Sequence, residues 1–139
     1  MPLTIGPHLR QFFDQRLLAV VCTLSERGSP EMTPIWYEYA DGDVWFNGER
    51  SRHWLRRMEA TGRATFFLLD PDNGWKWAQV YGEVVDVADD PEAEHFGRLA
   101  ERYGRPLARP VPNRRYARVR ITSVKGRAGS PADVWDVRR

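Results

Sequence analysis

The sequence predicts a mainly β protein: a six-stranded antiparallel barrel with short helices added. Three observations carry this. Short runs rich in Val, Ile, Tyr, Phe and Trp recur along the chain and alternate apolar with polar residues, as half-buried strands do. Turn signals separate them, among them Gly28-Ser29-Pro30, Asp41-Gly42 and Asp70-Pro71-Asp72-Asn73-Gly74. The stretches with helical periodicity are few and short.

A first helix is expected over His8 to Arg16, with Leu9, Phe12 and Phe13 on one face. Leu17 to Ser25 reads as a buried strand and Glu26 to Pro30 as a turn around Gly28. Met32 to Tyr39 is the second strand. Asp41-Gly42 signals a hairpin, so Asp43 to Asn47 pairs back on it as the third. Ser51 to Thr61 is helical, with Ser51 as N-cap and Gly62 as its stop. Arg63 to Leu69 is the fourth strand. Trp75 to Val87 is a long fifth, with a bulge or bend at Gly82. A further helix opens at Asp90 or Pro91 and runs to Tyr103, with Phe96, Leu99, Ala100 and Tyr103 as its apolar stripe. Gly104 to Asn113 holds three prolines and reads as loop. Tyr116 to Val124 is the last strand. Val134-Trp135 in the tail either adds a short strand or lies on a partner. No repeat or linker interrupts this order, so one domain is expected over residues 1–139.

The 139 residues carry a net charge of +2, which implies no bulk polyanion partner. With 42% hydrophobic residues and six Trp, the chain is that of a folded domain. Cys22 is the only cysteine, so neither an intrachain disulfide nor a cysteine zinc cluster can form. The histidines, His8, His53 and His95, are scattered, and no metal site is expected. The stretch Met1 to Pro7 lacks the charged and apolar parts of a secretion leader, and no apolar run approaches the ~20 residues that span a bilayer. A cytoplasmic protein without membrane contact is expected. Charge is nevertheless uneven. Residues 50–63 carry five arginines against the one acid Glu59, and residues 98–120 carry eight against Glu101. Residues 83–94 carry six acids and no base. Two arginine-rich zones in a nearly neutral chain favour an anionic ligand.

The junction Asn47-Gly48-Glu49-Arg50-Ser51-Arg52-His53-Trp54 is where such a ligand fits best. Free N–H groups at a helix start point at an anion, and the helix dipole favours it there. Arginine adds parallel charge-assisted hydrogen bonds to phosphate oxygens. Ser51 and Arg52 are the leading phosphate ligands, with Arg50 and His53 beside them. Arg56 and Arg57 read better as a solvated helix face. No nucleophile elbow and no ATPase-type phosphate loop is present, and no catalytic set is evident.

From about Leu17 to Val124 the order of motifs resembles the split-barrel flavin-binding family typified by pyridoxamine 5′-phosphate oxidase, and within it the flavin/deazaflavin oxidoreductase branch. Leu17-Ala19-Val20-Thr23-Leu24 with Gly28-Ser29-Pro30 is similar to the opening hairpin. Thr33-Pro34-Ile35-Trp36 resembles the strand along the flavin ring. Phe46-Asn47 and then Ser51-Arg52 resemble the phosphate-binding turn, and Arg63-Ala64-Thr65 the strand after the binding helix. Asp70 to Trp75 followed by Val80-Tyr81-Gly82-Glu83-Val84 resembles the branch's loop and long strand. His95, Leu99, Ala100, Arg102 and Tyr103 resemble its late helix. His53 stands where the family often has lysine, Arg57-Met58 replaces Asn-Leu, and Thr61-Gly62 replaces Asp-Pro. These departures bear on cofactor type more than on fold. The terminal arginine and histidine pattern of a true pyridoxamine-phosphate oxidase is absent, so vitamin B6 synthesis is not expected.

The resemblance implies an FMN-binding split barrel, a homodimer with its cofactor at the subunit interface, and an oxidoreductase acting on a small organic molecule. FMN or the deazaflavin coenzyme F-420 would carry the hydride. Thr33, Pro34, Ile35 and Trp36 would wall the ring. Phe46, Asn47, Ser51, Arg52 and His53 would serve the phosphate and its linking chain, although Asn47 also suits a strand end. Trp77 and Gln79, on one face with Trp75, would reach the partner's cofactor or bury at the dimer seam. Arg118 and Arg120 either meet an anionic substrate or form a surface strand, and Tyr37 and Tyr39 either donate protons or are ordinary strand tyrosines. Two rival readings are a non-catalytic carrier of the same cofactor and a barrel that binds single-stranded nucleic acid. Net charge and the acidic stretch argue against nucleic acid.

Overall fold

The computed structural model describes residues 3–138. Met1 and Pro2, part of the stretch read for a leader, lie outside the described residues, as does Arg139. In chain order the elements are α1 (Pro7–Asp14), β1 (Ala19–Leu24), β2 (Pro30–Ile35), β3 (Tyr37–Ala40), β4 (Asp43–Glu49), α2 (His53–Thr61), β5 (Arg63–Leu69), β6 (Lys76–Asp89), α3 (Glu94–Arg102), β7 (Arg114–Ala128) and β8 (Val134–Arg138). All the strands join one antiparallel sheet in the order β2-β1-β5-β6-β7-β4-β3, with β8 added along β7.

The protein is mainly β, as expected, but it has eight strands where six were expected. The expected second strand breaks at Trp36. Its first part, β2, pairs with β1, and its second part, β3, pairs with β4. These pieces lie at opposite ends of the strand order, so the chain through Trp36 closes the sheet into a barrel whose wall has six members. The remaining strand is the tail: Trp135 is buried and lies on Phe12, ring centroids 5.0 Å apart.

The inward faces of the strands supply the core. Val21, Phe46, Phe66, Leu68, Val80 and Val119 are all buried, and Trp54, Leu55 and Met58 seal it from α2. Two bulges bend the long β6–β7 pair. Tyr81 faces Ser123 while Gly82 faces Ile121, so Thr122 is the extra residue. Val84 faces Val119 and Asp86 faces Arg118, so Val85 is the extra residue in the second. The irregularity expected at Gly82 is present, with the inserted residue on the opposing strand. Bulges increase local twist. That lets β7 pair with β4 through residues 114–119 and with β8 through residues 123–127.

Both later helices start after their expected positions. Ser51 does not cap α2: the N-cap is Arg52, without a side-chain bond. The Ser51 hydroxyl and N–H both donate to the Glu49 carboxylate instead. Gly62, at φ 70°, ends the helix as expected. Pro91 does not open α3. The helix starts at Glu94, and the Asp90 carboxylate reaches forward to accept the His95 and Phe96 N–H groups at 3.1 and 2.9 Å. On the outer side of the barrel, β1, β2, β5 and β6 present Met32, Leu24, Leu69, Phe67 and Trp77. Among the described residues no helix is long and apolar enough to cross a membrane.

Gly126 lies close against β6, opposite Ala78. A Cβ there would stand 2.0 Å from the Trp77 carbonyl oxygen, a backbone atom that cannot swing aside. Gly126→Ala is expected to cost about 1–3 kcal/mol or more in urea unfolding, the range for overpacking. An unchanged midpoint would mean that the two strands separate freely at this level.

Candidate functional site

An open cleft of about 570 Å³ lies at the corner where β2 becomes β3. Leu18, Thr33, Pro34, Ile35 and Trp36 line one side. The end of β4 and the start of α2 bring Asn47, Gly48, Glu49, Arg52 and Trp54. Phe96 and Leu99 come from α3, and Arg114 comes from β7. A second cleft of about 500 Å³ shares Thr33, Arg52 and Trp54 with the first and adds Ser51, His53 and Arg57.

The corner is rigid because its aromatics stack. Trp36 lies on Tyr103 with ring centroids 5.0 Å apart and an angle of 7°, and on Phe96 at 6.2 Å. The Arg114 guanidinium sits 3.6 Å from the Phe96 ring centroid, a close cation–π contact. Tyr103 donates to the Leu17 carbonyl, and the Arg102 Nε donates to the Tyr37 carbonyl at 3.0 Å, so α3 is tied to the start of β1 and to β3.

A buried polar chain runs behind this wall. Arg114 Nε donates to Asn47 Oδ1 at 2.9 Å. Guanidinium has no acceptor, so this contact fixes which end of the Asn47 amide is oxygen. The amide nitrogen then faces Asp90 Oδ2 and His95 Nδ1, each at 3.0 Å. Its two protons serve both, so His95 Nδ1 accepts and the ring proton resides on Nε2. That nitrogen lies 3.2 Å from Glu38 Oε1, off the line of a straight hydrogen bond. Arg98 clasps the same carboxylate at 2.6 Å. Burial alone would raise the Glu38 carboxyl, but the facing His95 and Arg98 N–H groups hold it down to about 2. Asp90 is likewise held low against its burial by the Phe96 and His95 backbone N–H groups and the Asn47 amide. Burial pushes the Arg114 guanidinium downward.

Most arginines of the two basic zones that have polar partners meet acids. Arg50 pairs with Asp89, Arg57 with Glu31, Arg98 with Glu38, Arg115 with Glu59 and Asp89, and Arg118 and Arg120 with Asp43. Arg118 and Arg120 are thereby committed to Asp43. Arg52 and Arg114 differ. Both line the cleft, and among the described residues neither guanidinium has an ion-pair partner; Arg114 keeps only its bond to Asn47.

The expected site residues divide into three groups. Thr33, Pro34, Ile35, Trp36, Asn47 and Arg52 meet on the first cleft, and Ser51 and His53 on its extension. Phe46 lies behind the wall, fully buried and edge-on to Trp54 and Phe66, because its place in the β4 alternation points inward. Trp77 and Gln79 face the outside of the barrel. Trp77 stacks on Phe67 at 5.4 Å and lines a separate cleft with Tyr81 and Trp135, and the Gln79 amide donates to the Tyr81 hydroxyl. Tyr37 is structural: its hydroxyl donates to the Phe13 and Gln15 carbonyls, and burial pushes its pKa up. The residues that sequence reasoning missed are Arg114, Phe96, Glu49, Asp90 and His95. For Arg114 a signal existed, since it belongs to a charge-rich zone. Its neighbour across the sheet, Glu49, becomes visible only once β4 is paired with β7.

Residues 5–128 match the family model described as pyridoxamine 5′-phosphate oxidase. No curated protein matches the chain. Among solved structures, an F-420 reductase is 23% identical, covers 87% of this chain and 98% of its own, and superposes with a TM-score of 0.79. HupZ of Group A Streptococcus is 16% identical, with coverage of 93% and 99% and a TM-score of 0.67. HutZ, described as a heme storage protein from Vibrio cholerae, is 14% identical, with coverage of 91% and 96% and a TM-score of 0.64. At these identities the likenesses show the fold alone.

The buried chain has a pH signature. Glu38 titrates near 2 in the folded protein and near 4.5 when free, so its contribution is complete above about 4.5 and is lost as pH falls towards 2. Glu38→Gln is expected to lose on the order of 1–3 kcal/mol at pH 7 and to flatten the acid limb of stability between pH 5 and 2. Urea midpoints at several pH values read this out. Parallel curves for both proteins would remove Glu38 from the account.

Proposed function

The chain belongs to the pyridoxamine 5′-phosphate oxidase family, and from that premise we propose that it is an oxidoreductase using FMN or the deazaflavin coenzyme F-420 on a small organic substrate. One observation carries the reading: Arg52 and Arg114, two guanidiniums outside any ion-pair contact among the described residues, line one cleft with a flat apolar wall. A phosphate-bearing ring has the matching parts. Its phosphate would lie between the arginines, which offer charge-assisted hydrogen bonds. Its ring would lie along Pro34, Ile35 and Trp36. When bound, such a ring supplies hydride transfer, and the protein supplies position and electrostatics.

In this reading Trp36 is a fixed wall, because its contacts with Tyr103 and Phe96 hold its plane. Asn47 holds Arg114 in place from behind. We also assign a homodimer: the apolar outer face bearing Met32, Phe67 and Trp77 suits a second copy. It would bring Trp77 and Gln79 of one subunit to the cleft of the other. The same fold in a protein described as storing heme makes a carrier without turnover the reading to be separated by experiment.

Titration of the purified protein with FMN and with F-420, followed by absorbance and fluorescence, tests the cofactor. Dissociation constants well below millimolar, about −4 kcal/mol, are expected for one of them. Arg52→Ala and Arg114→Ala should each weaken binding by roughly 1.5–3 kcal/mol, the value of a hydrogen bond to a charged group. Unchanged constants in both variants would move the phosphate elsewhere. Reduction of the bound cofactor by a nicotinamide or sugar-phosphate donor system, then oxidation by a quinone or an enone, would mark an enzyme. Binding without either step would mark a carrier.

A further inference from the structure

Glu49 stands at the anion end of the cleft, where its negative charge works against an anionic ligand. It is the last residue of β4 and pairs across the sheet with Arg114. Opposite charges facing one another across antiparallel strands ordinarily attract. Here the Glu49 carboxylate turns instead to the helix start. Its Oε2 accepts the Ser51 N–H at 3.0 Å and also the Ser51 hydroxyl. The Arg52 N–H closes a turn onto the Glu49 carbonyl at 3.0 Å, which keeps the three residues together. The donors that suit a phosphate oxygen are therefore held by a carboxylate oxygen of the chain itself, while Arg52 and Arg114 stay without an ion-pair partner.

We propose that Glu49 is an internal competitor for the phosphate position: its carboxylate fills the Ser51 donors in the ligand-free protein, and a phosphate group must displace it to bind. This rests on the reading that an anion lies between Arg52 and Arg114. The geometry favours displacement over permanent capping. Glu49 is solvent-facing, so its side chain can turn into water once its bonds to Ser51 break, giving up with them the Coulomb attraction of Arg52 and Arg114. A phosphate dianion brings more charge to the two arginines than a carboxylate and offers three oxygens to the same donors. Glu49 thereby weakens ligands that bring an anion to this position and leaves those without one unaffected. It sets affinity through charge and is a specificity-determining residue with no part in hydride transfer.

Inorganic phosphate is the probe. Amide NMR titrations of the wild-type protein and of Glu49→Gln at constant ionic strength should move the Ser51 and Arg52 signals, with half-saturation at least fivefold lower in the variant. Glutamine keeps an acceptor oxygen for Ser51 and removes only the charge. In parallel, Glu49→Gln should tighten FMN relative to riboflavin, which lacks the phosphate. Equal half-saturation in the two proteins, or no phosphate response in either, overturns the proposal. A phosphate response strengthened by Glu49→Gln upholds it even where neither FMN nor F-420 binds, an outcome that would instead end the cofactor reading.

Discussion

The cleft depends on one amide. Asn47 joins three elements through a single side chain: its own strand β4, the start of α3 through Asp90 and His95, and β7 through Arg114. Each of its atoms has a demanded role. Arg114 can only donate, so Asn47 Oδ1 must face it, and the amide protons must face Asp90 and the His95 ring. In a low-dielectric interior an unpaired member of such a chain is costly, and a complete chain rigidifies what it touches. The direction of the Arg114 guanidinium therefore follows from a network that starts at Asn47 on the cleft and runs behind it to Asp90 and His95. The Phe96 ring under that guanidinium is fixed by the same network, because Asp90 holds the Phe96 N–H.

Closure of the barrel imposes the second constraint. Trp36 is where one strand must serve both ends of the sheet, so backbone pairing stops there and the side chain is free to stack on Tyr103 and Phe96. A break in hydrogen bonding at a barrel corner is thus also the flat wall of the cleft. The β6–β7 bulges act on the other side, bending two long strands so that β7 carries β4 at one end and β8 at the other.

Much of this was legible in the sequence, and the parts that were not share a physical cause. The fourth strand, Arg63 to Leu69, follows from alternation and its flanking turns and coincides with β5. Gly62 as a helix stop, the hairpin at Asp41-Gly42 and the irregularity at Gly82 follow from local backbone chemistry. The junction at Ser51-Arg52 was singled out because its charge and position are local. What failed was competition between partners, near and far in the chain. Ser51 has the right side chain for an N-cap, but Glu49, two residues back, holds it. Pro91 suits a first helical turn, yet Asp90 serves the helix from outside, and its carboxylate also answers Asn47, 43 residues away. The alternation that makes Phe46 look like a site neighbour of Asn47 also turns it into the core.

The acidic stretch of residues 83–94 shows why net charge alone misleads about ligands. Read along the chain, it is a solvated face that offsets the arginine zones. In the fold its members are distributed among particular partners. Asp86 accepts from the Tyr116 hydroxyl, Asp89 meets Arg50 and Arg115, and Asp90 enters the Asn47 chain. Asp43, Glu31 and Glu38 take four more arginines, and Glu59 shares Arg115 with Asp89. Neutralisation is therefore local and nearly pairwise around the barrel, and Coulomb interactions across its surface are screened within about 10 Å at ordinary ionic strength. A ligand does not meet the net charge of +2. It meets whichever cations the fold has left outside an ion pair in a concave place, and in this cleft those are Arg52 and Arg114, with Glu49 beside them.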